Sequence, residues 1–322
     1  MTAAHSHAPS LRTTGAGAPE LVRPLPVAGR GWVVPRAMAL LQASRPKQWP
    51  KNVLTLAPVL AAGAWGRAGV LSAGTVALVA FTLVASAVYL VNDVADAAHD
   101  RAHPVKRHRP VASGRLPVSW ALAAAVVAGA GAFVFAGATH HGELGGVLAG
   151  YLAVSLGYSL GLKKVPGLEI LIVAYGFVWR PVAGAEATGI AASGWFLEVC
   201  CGAALTVAIG KRLAELARLQ DTAAAHRSSL RFYREGWLRW ARRLSSVATV
   251  ACYLGWAVTR WHGVAMLVAI ASALPVAFAL YRYASRNDRG HGGAPEDLLL
   301  RDRPLQLSAL VWLATFIAVG HV

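Results

Sequence analysis

Nine stretches of this chain are apolar over membrane-crossing or nearly membrane-crossing lengths, and that limits what it can fold into. A helix needs roughly 20 mostly apolar residues to span a hydrocarbon core. Such runs fall at about Val53–Trp65, Ala68–Val91, Leu116–Ala136, Leu144–Gly161, Leu168–Glu186, Trp195–Gly210, Trp237–Val258, Val264–Tyr281 and Leu305–Gly320. The first is short and begins inside the amphipathic stretch from Arg36 to Lys51. Of 322 residues, 56% are hydrophobic and 14% charged, whereas a soluble surface usually needs about a quarter of the chain charged. The apolar fraction excludes a disordered chain, and the uncharged runs argue against a nucleic-acid-binding protein. The expectation is an all-α polytopic membrane protein with nine transmembrane helices over residues 36–322. Residues 1–35, rich in Ala, Gly, Pro and His, lack the apolar core of a signal peptide and read as a flexible cytosolic tail.

The formal net charge of +16 must then be explained by position. With nine spans, 28 Lys and Arg fall on the N-terminal side of the membrane, and only Arg67 and Arg260 on the other. Arg180 lies inside a span. This positive-inside bias places the N-terminus in the cytosol and the C-terminus outside, in a cell membrane. The long connections lie on the cytosolic side too, so function is expected there. Cys200, Cys201 and Cys252 have no metal-ligand or redox spacing and read as packing residues.

Acidic residues are scarce, so their concentration after the second span is informative. The chain there reads Asn92-Asp93-Val94-Ala95-Asp96-Ala97-Ala98-His99-Asp100. On one helix, Asp93, Asp96 and Asp100 fall within a narrow arc with Asn92 at its edge. Stacked carboxylates repel, and Mg²⁺ with oxygen ligands is the natural cation to relieve them, completing its shell with water and substrate phosphates. The plainer alternative is a solvated acidic helix end paired with Lys106, Arg107 and Arg109. The basic run Lys106-Arg107-His108-Arg109 suits an anionic substrate bridging metal and cations, or else a loop facing anionic lipid.

Lys47 and Lys51, four residues apart, would share a helical face before the first span and bind phosphate at the cytosolic mouth, with Asn52 assisting. Snorkelling beside Trp49 is the alternative. Tyr158 and Lys163 end the fourth span at the same mouth, where Tyr158 reads equally as an interfacial belt residue. Glu169 and Arg180 share nearly one face of the fifth span at heights about 16 Å apart. Glu169 is near the mouth, placed to bind Mg²⁺ or a ribose hydroxyl of the substrate, and Arg180 is a deep substrate ligand or a structural partner of Glu198.

The Asn92-Asp93-x-x-Asp96-x-x-x-Asp100 pattern at the end of a second span resembles the UbiA-type intramembrane prenyltransferase superfamily. The likeness covers about residues 40 to 320. Within it, five segments look most like the decaprenyl-phosphate phosphoribosyltransferase branch. They are Ser44 to Asn52, Lys106 to Pro110, Tyr158 to Lys163, Gly210-Lys211-Arg212, and Pro295-Glu296-Asp297 with Arg301-Asp302-Arg303. The resemblance implies a UbiA-like bundle with a cytosolic-face site, Mg²⁺ as cofactor, and a homo-oligomer, a trimer. It implies transfer of a 5-phosphoribosyl group from phosphoribosyl pyrophosphate to decaprenyl phosphate in the bilayer.

Aromatic members of the superfamily typically carry a second DxxxD-type motif after the sixth span. This chain has Lys211-Arg212-Leu213-Ala214-Glu215 there. A cation-rich mouth around one acidic motif suits a donor with several phosphates, to be shared among Lys47, Lys106, Arg107, Lys163, Lys211 and Arg212. An aromatic or quinone-pathway prenyltransferase is the related alternative. A transporter is the alternative from another class, disfavoured because the acids cluster at one membrane face and not at the midplane. Glu296, Asp297 and Asp302 are left open between a lid, a metal contact and salt bridges to Arg301 and Arg303.

Overall fold

The computed structural model describes residues 36–138, 143–219, 232–291, 298 and 301–319. The expected tail, and Glu296 and Asp297, lie outside the described residues. All regular structure among the described residues is helical. Helix α1 is Arg36–Ala43, followed by a 3₁₀ segment, Pro46–Leu56, and a five-residue helix α2, Ala57–Ala61. Then come α3 (Val70–Ala95), α4 (Ala97–Ala102), α5 (Val118–Gly137), α6 (Glu143–Leu160) and α7 (Leu168–Thr188). The remainder is α8 (Gly194–Leu219), α9 (Glu235–Arg260), α10 (Gly263–Ala271), α11 (Ala273–Arg286) and α12 (Arg303–Val319).

Among the described residues, five helical runs are long and apolar enough to cross a membrane: α3, α5, α6, α7 and the run Gly263–Arg289 that contains α10 and α11. Helix α12 is apolar but shorter. Helices α8 and α9 have 26 residues each, but charges such as Lys211, Arg212, Arg242 and Arg243 dilute their apolar character. The expected first span is not one helix. Pro46, Pro50 and Pro58 each lack an N–H donor, and the segment tightens to three residues per turn. At that pitch Lys47 and Lys51 point about 120° apart, so they do not share a face. Lys47 is exposed, and the Lys51 ammonium lies 5.6 Å from the centre of the Phe177 ring. The expected span Val264–Tyr281 is likewise divided at Ser272, because Pro275 cannot donate to the carbonyl of Ala271.

The helices meet through small residues. Ala77, Ala80, Phe81 and Val84 of α3 pack with Ala132 of α5, Leu144 and Leu148 of α6, and Ala183 and Ala187 of α7. A second core joins α9 to α10, α11 and α12 around Tyr253, Trp256, Ala265 and Ala269. Helices α7 and α8 pack together, and α8 packs on α9, linking the two halves. Outward, Val126, Val134 and Leu274 stand exposed, an apolar exterior that favours lipid over water. Small residues at helix contacts are what such a bundle needs, because lipid tails supply no hydrophobic drive for helix association.

The broken N-terminal segment sits tightly on α7. A Cβ on Gly184 would lie 1.7 Å from the Thr55 carbonyl oxygen. Gly184→Ala is expected to destabilise the bundle by about 1–3 kcal/mol through overpacking, measured by thermal unfolding in detergent. Gly146→Ala on α6, where a Cβ meets nothing within 4 Å, should leave the transition in place.

Candidate active site

Helix α3 ends just before Asp96, where φ −92° and ψ −3° close the helix, and α4 begins anew. The single arc of three carboxylates is therefore broken at its middle member. Asp93 and Asp100 are each 2% exposed. They share one guanidinium: Arg109 Nη1 donates to Asp100 Oδ2 at 2.7 Å and approaches Asp93 Oδ1 at 3.4 Å. Asp93 also accepts from Arg45 Nη2, and Asp96 accepts from Lys163 Nζ just beyond α6. Repulsion among the acids is thus relieved by cations from three separate segments. Among the described residues, no three Asp, Glu, His or Cys side chains gather as a preformed metal cluster.

The residues nevertheless fit a hard cation. The Asn92 side-chain oxygen is buried and has no hydrogen-bond partner among the described residues. It lies one turn from Asp96, and i,i+4 neighbours face the same side of a helix. Asn92, Asp93 and Asp96 present oxygen donors of the kind Mg²⁺ takes. Asp100 is committed to Arg109. Arg107 is exposed, and its Nε lies 3.3 Å from His108 Nε2. Lys106 lies in the 3₁₀ turn Lys106–His108 beside the same loop.

Arg45 is a site residue that sequence reasoning passed over. It is the only described non-glycine residue with positive φ, 56°, a conformation that costs about 1–3 kcal/mol outside glycine. Its guanidinium is held between the Asp93 carboxylate and the Tyr89 ring, 4.9 Å from the ring centre. The signal in the sequence was its place in the Ser44–Asn52 segment, already singled out for its likeness to the family.

Beside this cluster, the place of a second acidic motif is filled by ion pairs. Arg212, 3% exposed, lies between Glu169, 0% exposed, and Glu215. Arg212 Nε is 3.4 Å from Glu169 Oε2. Tyr233 accepts the Gly167 N–H at 2.6 Å, and burial followed by the neighbouring Glu169 charge raises its phenol above the usual 10. Glu169 and Arg212 are therefore partners of each other. Lys211 is half-buried next to Arg212, and Tyr158 is half-buried near the end of α6.

Asn52 and Arg180 lie deeper. Arg180 Nε donates to Asn52 Oδ1 at 2.9 Å, and Asn52 Nδ2 donates to Thr82 Oγ1 at 3.0 Å. The guanidinium lies over Phe81 and Phe177, 5.0 and 5.3 Å from the ring centres. Thr82 precedes Asp93, and Arg180 follows Glu169, by eleven residues each, so this layer lies about 16 Å from the acidic motif. Asn52 is thus not at the mouth with Lys47, and Arg180 bonds Asn52 in place of Glu198.

Asp302, just ahead of α12, ties that helix to α11. Arg286 Nε donates to it at 2.7 Å and Arg282 Nη2 at 3.2 Å. Burial pushes its carboxyl up, but hydrogen bonds from Arg282, Arg286 and the Leu305 N–H outweigh this and hold it below its ordinary value. Of the three readings left open for Asp302, the salt bridge is what forms, with Arg282 and Arg286 in place of Arg301 and Arg303.

An all-helical, lipid-facing bundle with an acid motif clamped by arginine and lysine at one end defines a membrane-embedded enzyme scaffold that handles anionic groups at its rim. The chain belongs to the UbiA prenyltransferase family, whose pattern matches residues 55–301. It is 43% identical over 290 residues to decaprenyl-phosphate phosphoribosyltransferase of Mycobacterium tuberculosis H37Rv, covering 86% of this chain and 92% of that one. The enzyme of the same name from Corynebacterium glutamicum is 38% identical over 300 residues, covering 89% and 88%. The fold is also that of a UbiA homolog from Archaeoglobus fulgidus bound to GPP and Mg²⁺, with TM-score 0.68 and 18% identity, covering 88% and 100%.

Two measurements check the polar framework. Arg212→Gln should lower stability by roughly 3–5 kcal/mol, since it leaves the buried Glu169 without its cation, and Glu169→Gln should cost less, since Arg212 keeps Glu215. The double variant should lose less than the sum in thermal unfolding. For Asp302, a depressed folded pKa means stability fully present above the ordinary 3.8 and lost as pH falls through the lowered value. Asp302→Asn should therefore unfold at lower temperature than wild type at neutral pH, with the gap closing in acid.

Proposed function

We propose that the chain transfers a 5-phosphoribosyl group from phosphoribosyl pyrophosphate to decaprenyl phosphate, releasing pyrophosphate. The observation that carries this reading is the clamped motif. Arg45, Arg109 and Lys163 are cations already converging on Asp93, Asp96 and Asp100, which suits a donor with a diphosphate and a 5-phosphate. Sequence identity to enzymes named for this reaction, over most of both chains, supports it. The ion-paired Arg212 at the position of a second acidic motif supports a phosphate-rich donor over the aromatic-acceptor alternative.

In this reading Asn92, Asp93 and Asp96 hold Mg²⁺, which neutralises charge on the leaving diphosphate when bound. Asp100 orients Arg109. Arg45, Arg109 and Lys163 exchange carboxylate for phosphate oxygens as the donor enters, joined by Lys47, Lys106, Arg107, Tyr158 and Lys211 around the mouth. The C1–O bond to diphosphate breaks, and an oxygen of the lipid phosphate bonds to C1. That oxygen is already ionised, so no general base is needed. The chain's work is orientation of the two substrates and electrostatic stabilisation at C1. Arg180 and Asn52 serve beneath the site, fixing the 3₁₀ segment that carries Arg45. We further read the bundle as nine spans in the cytoplasmic membrane with the motif facing the cytosol, because the described ion pairs all join one end of the helices and 28 basic residues fall on that side, and, on the family resemblance alone, as a trimer.

Purified protein with Mg²⁺, labelled phosphoribosyl pyrophosphate and decaprenyl phosphate should yield a labelled lipid, and chelation should stop the reaction until Mg²⁺ is returned. Asp93→Asn and Asp96→Asn should each lower turnover by about 10²-fold or more in protein that still folds. A prenylated aromatic made from prenyl diphosphate, with no labelled lipid, would sink the assignment.

A further inference from the structure

We infer that the groove between α9 and α11 binds one anionic phospholipid from the leaflet at the polar end of the bundle. The groove has a volume of about 750 Å³. One wall is Val247, Val250 and Leu254 of α9, and the other is Ala277 and Leu280 of α11. Its polar end holds Arg242, Arg243, Asp288 and Arg289. Arg242 is buried and donates to Asp288 at 2.8 Å, which neutralises that pair. Arg243 and Arg289 are exposed and have no hydrogen bond or ion pair among the described residues, so the end carries two net positive charges.

The dimensions match one leaflet. Arg243 to Leu254 is eleven residues of helix, about 16 Å, and half of a hydrocarbon core is about 15 Å. An acyl chain along the aliphatic walls thus brings its phosphate to Arg243 and Arg289. Basic pockets between membrane helices recognise anionic headgroups by this combination of charge and groove. The excess positive charge selects a lipid whose phosphate has no compensating amine. Two features favour a phospholipid over the polyprenyl acceptor. Helix α9 packs on α8, α10 and α11, whereas the helix carrying Asp93 packs chiefly on α5, α6 and α7. A groove one leaflet deep is also too short for a long polyprenyl chain.

The test is native mass spectrometry of the full chain in detergent, titrated with phosphatidylglycerol or phosphatidylcholine of the same acyl chains. One phosphatidylglycerol should be retained about ten-fold or more over phosphatidylcholine. Arg243→Ala and Arg289→Ala should each reduce that retention about five-fold. Leu254→Trp, which fills the apolar end, should reduce it too. Arg239→Ala, on the same helix and paired with Glu235, should not. Equal retention of both lipids, no retained phospholipid, or retention unaffected by the arginine variants and Leu254→Trp would overturn the inference. So would stronger retention of decaprenyl phosphate than of phosphatidylglycerol, or a lipid-free self-associated species abolished by Leu254→Trp.

Discussion

The end of α3 places buried carboxylates where an apolar bundle meets water, and their charge must be met by cations brought from elsewhere in the chain. Asp93 and Asp100 are nearly inaccessible, and an unpaired charge in such a place costs several kcal/mol. Arg45 arrives from the N-terminal segment, Arg109 from the loop after α4, and Lys163 from beyond α6. Each draws its own element toward the motif. The strained backbone at Arg45 and the break in the helix at Asp96 are local costs of this convergence, offset by ion pairs formed at low dielectric.

The same physics shapes the second half of the molecule. Glu169 with Arg212, Arg242 with Asp288, and Asp302 with Arg282 and Arg286 all bind helix ends on the same side as the acidic motif. The opposite end is held by apolar and aromatic packing around Trp256 and Phe316. The bundle is therefore polar and cross-linked at one end and greasy elsewhere. That division lets a water-soluble, phosphate-rich donor and a lipid acceptor meet without either leaving its own phase.

Much of the fold was legible in the sequence because lipid solvent imposes long apolar runs. Helices α3, α5, α6 and α7 fall close to the runs read from hydropathy. The first expected span is a 3₁₀ segment followed by a short helix, because its composition is apolar while its prolines deny it a regular helix. The candidate site was legible as a set of residue types: Asn92, Asp93, Asp96, Arg109 and Lys163 were all named, and the fold brings them to one end of the bundle. Their pairing was not. Glu169 and Arg212, both expected on substrate, hold one another, and Asn52 drops to the layer of Arg180. Sequence spacing describes neighbours along one helix, whereas these partners are brought together by packing between helices.

By itself the sequence determined that this chain lives in a membrane, that its charge gathers at one face, and that an acidic motif there faces a basic mouth. Hydropathy, charge and helical period are local quantities, so they can be read in one dimension. Only the tertiary structure decided which cation meets which carboxylate, that Arg45 belongs to the site, and that the place of a second acidic motif is filled by a buried guanidinium. Those outcomes depend on side chains separated by tens of residues competing for the same few ångströms. That competition is settled by how the helices pack.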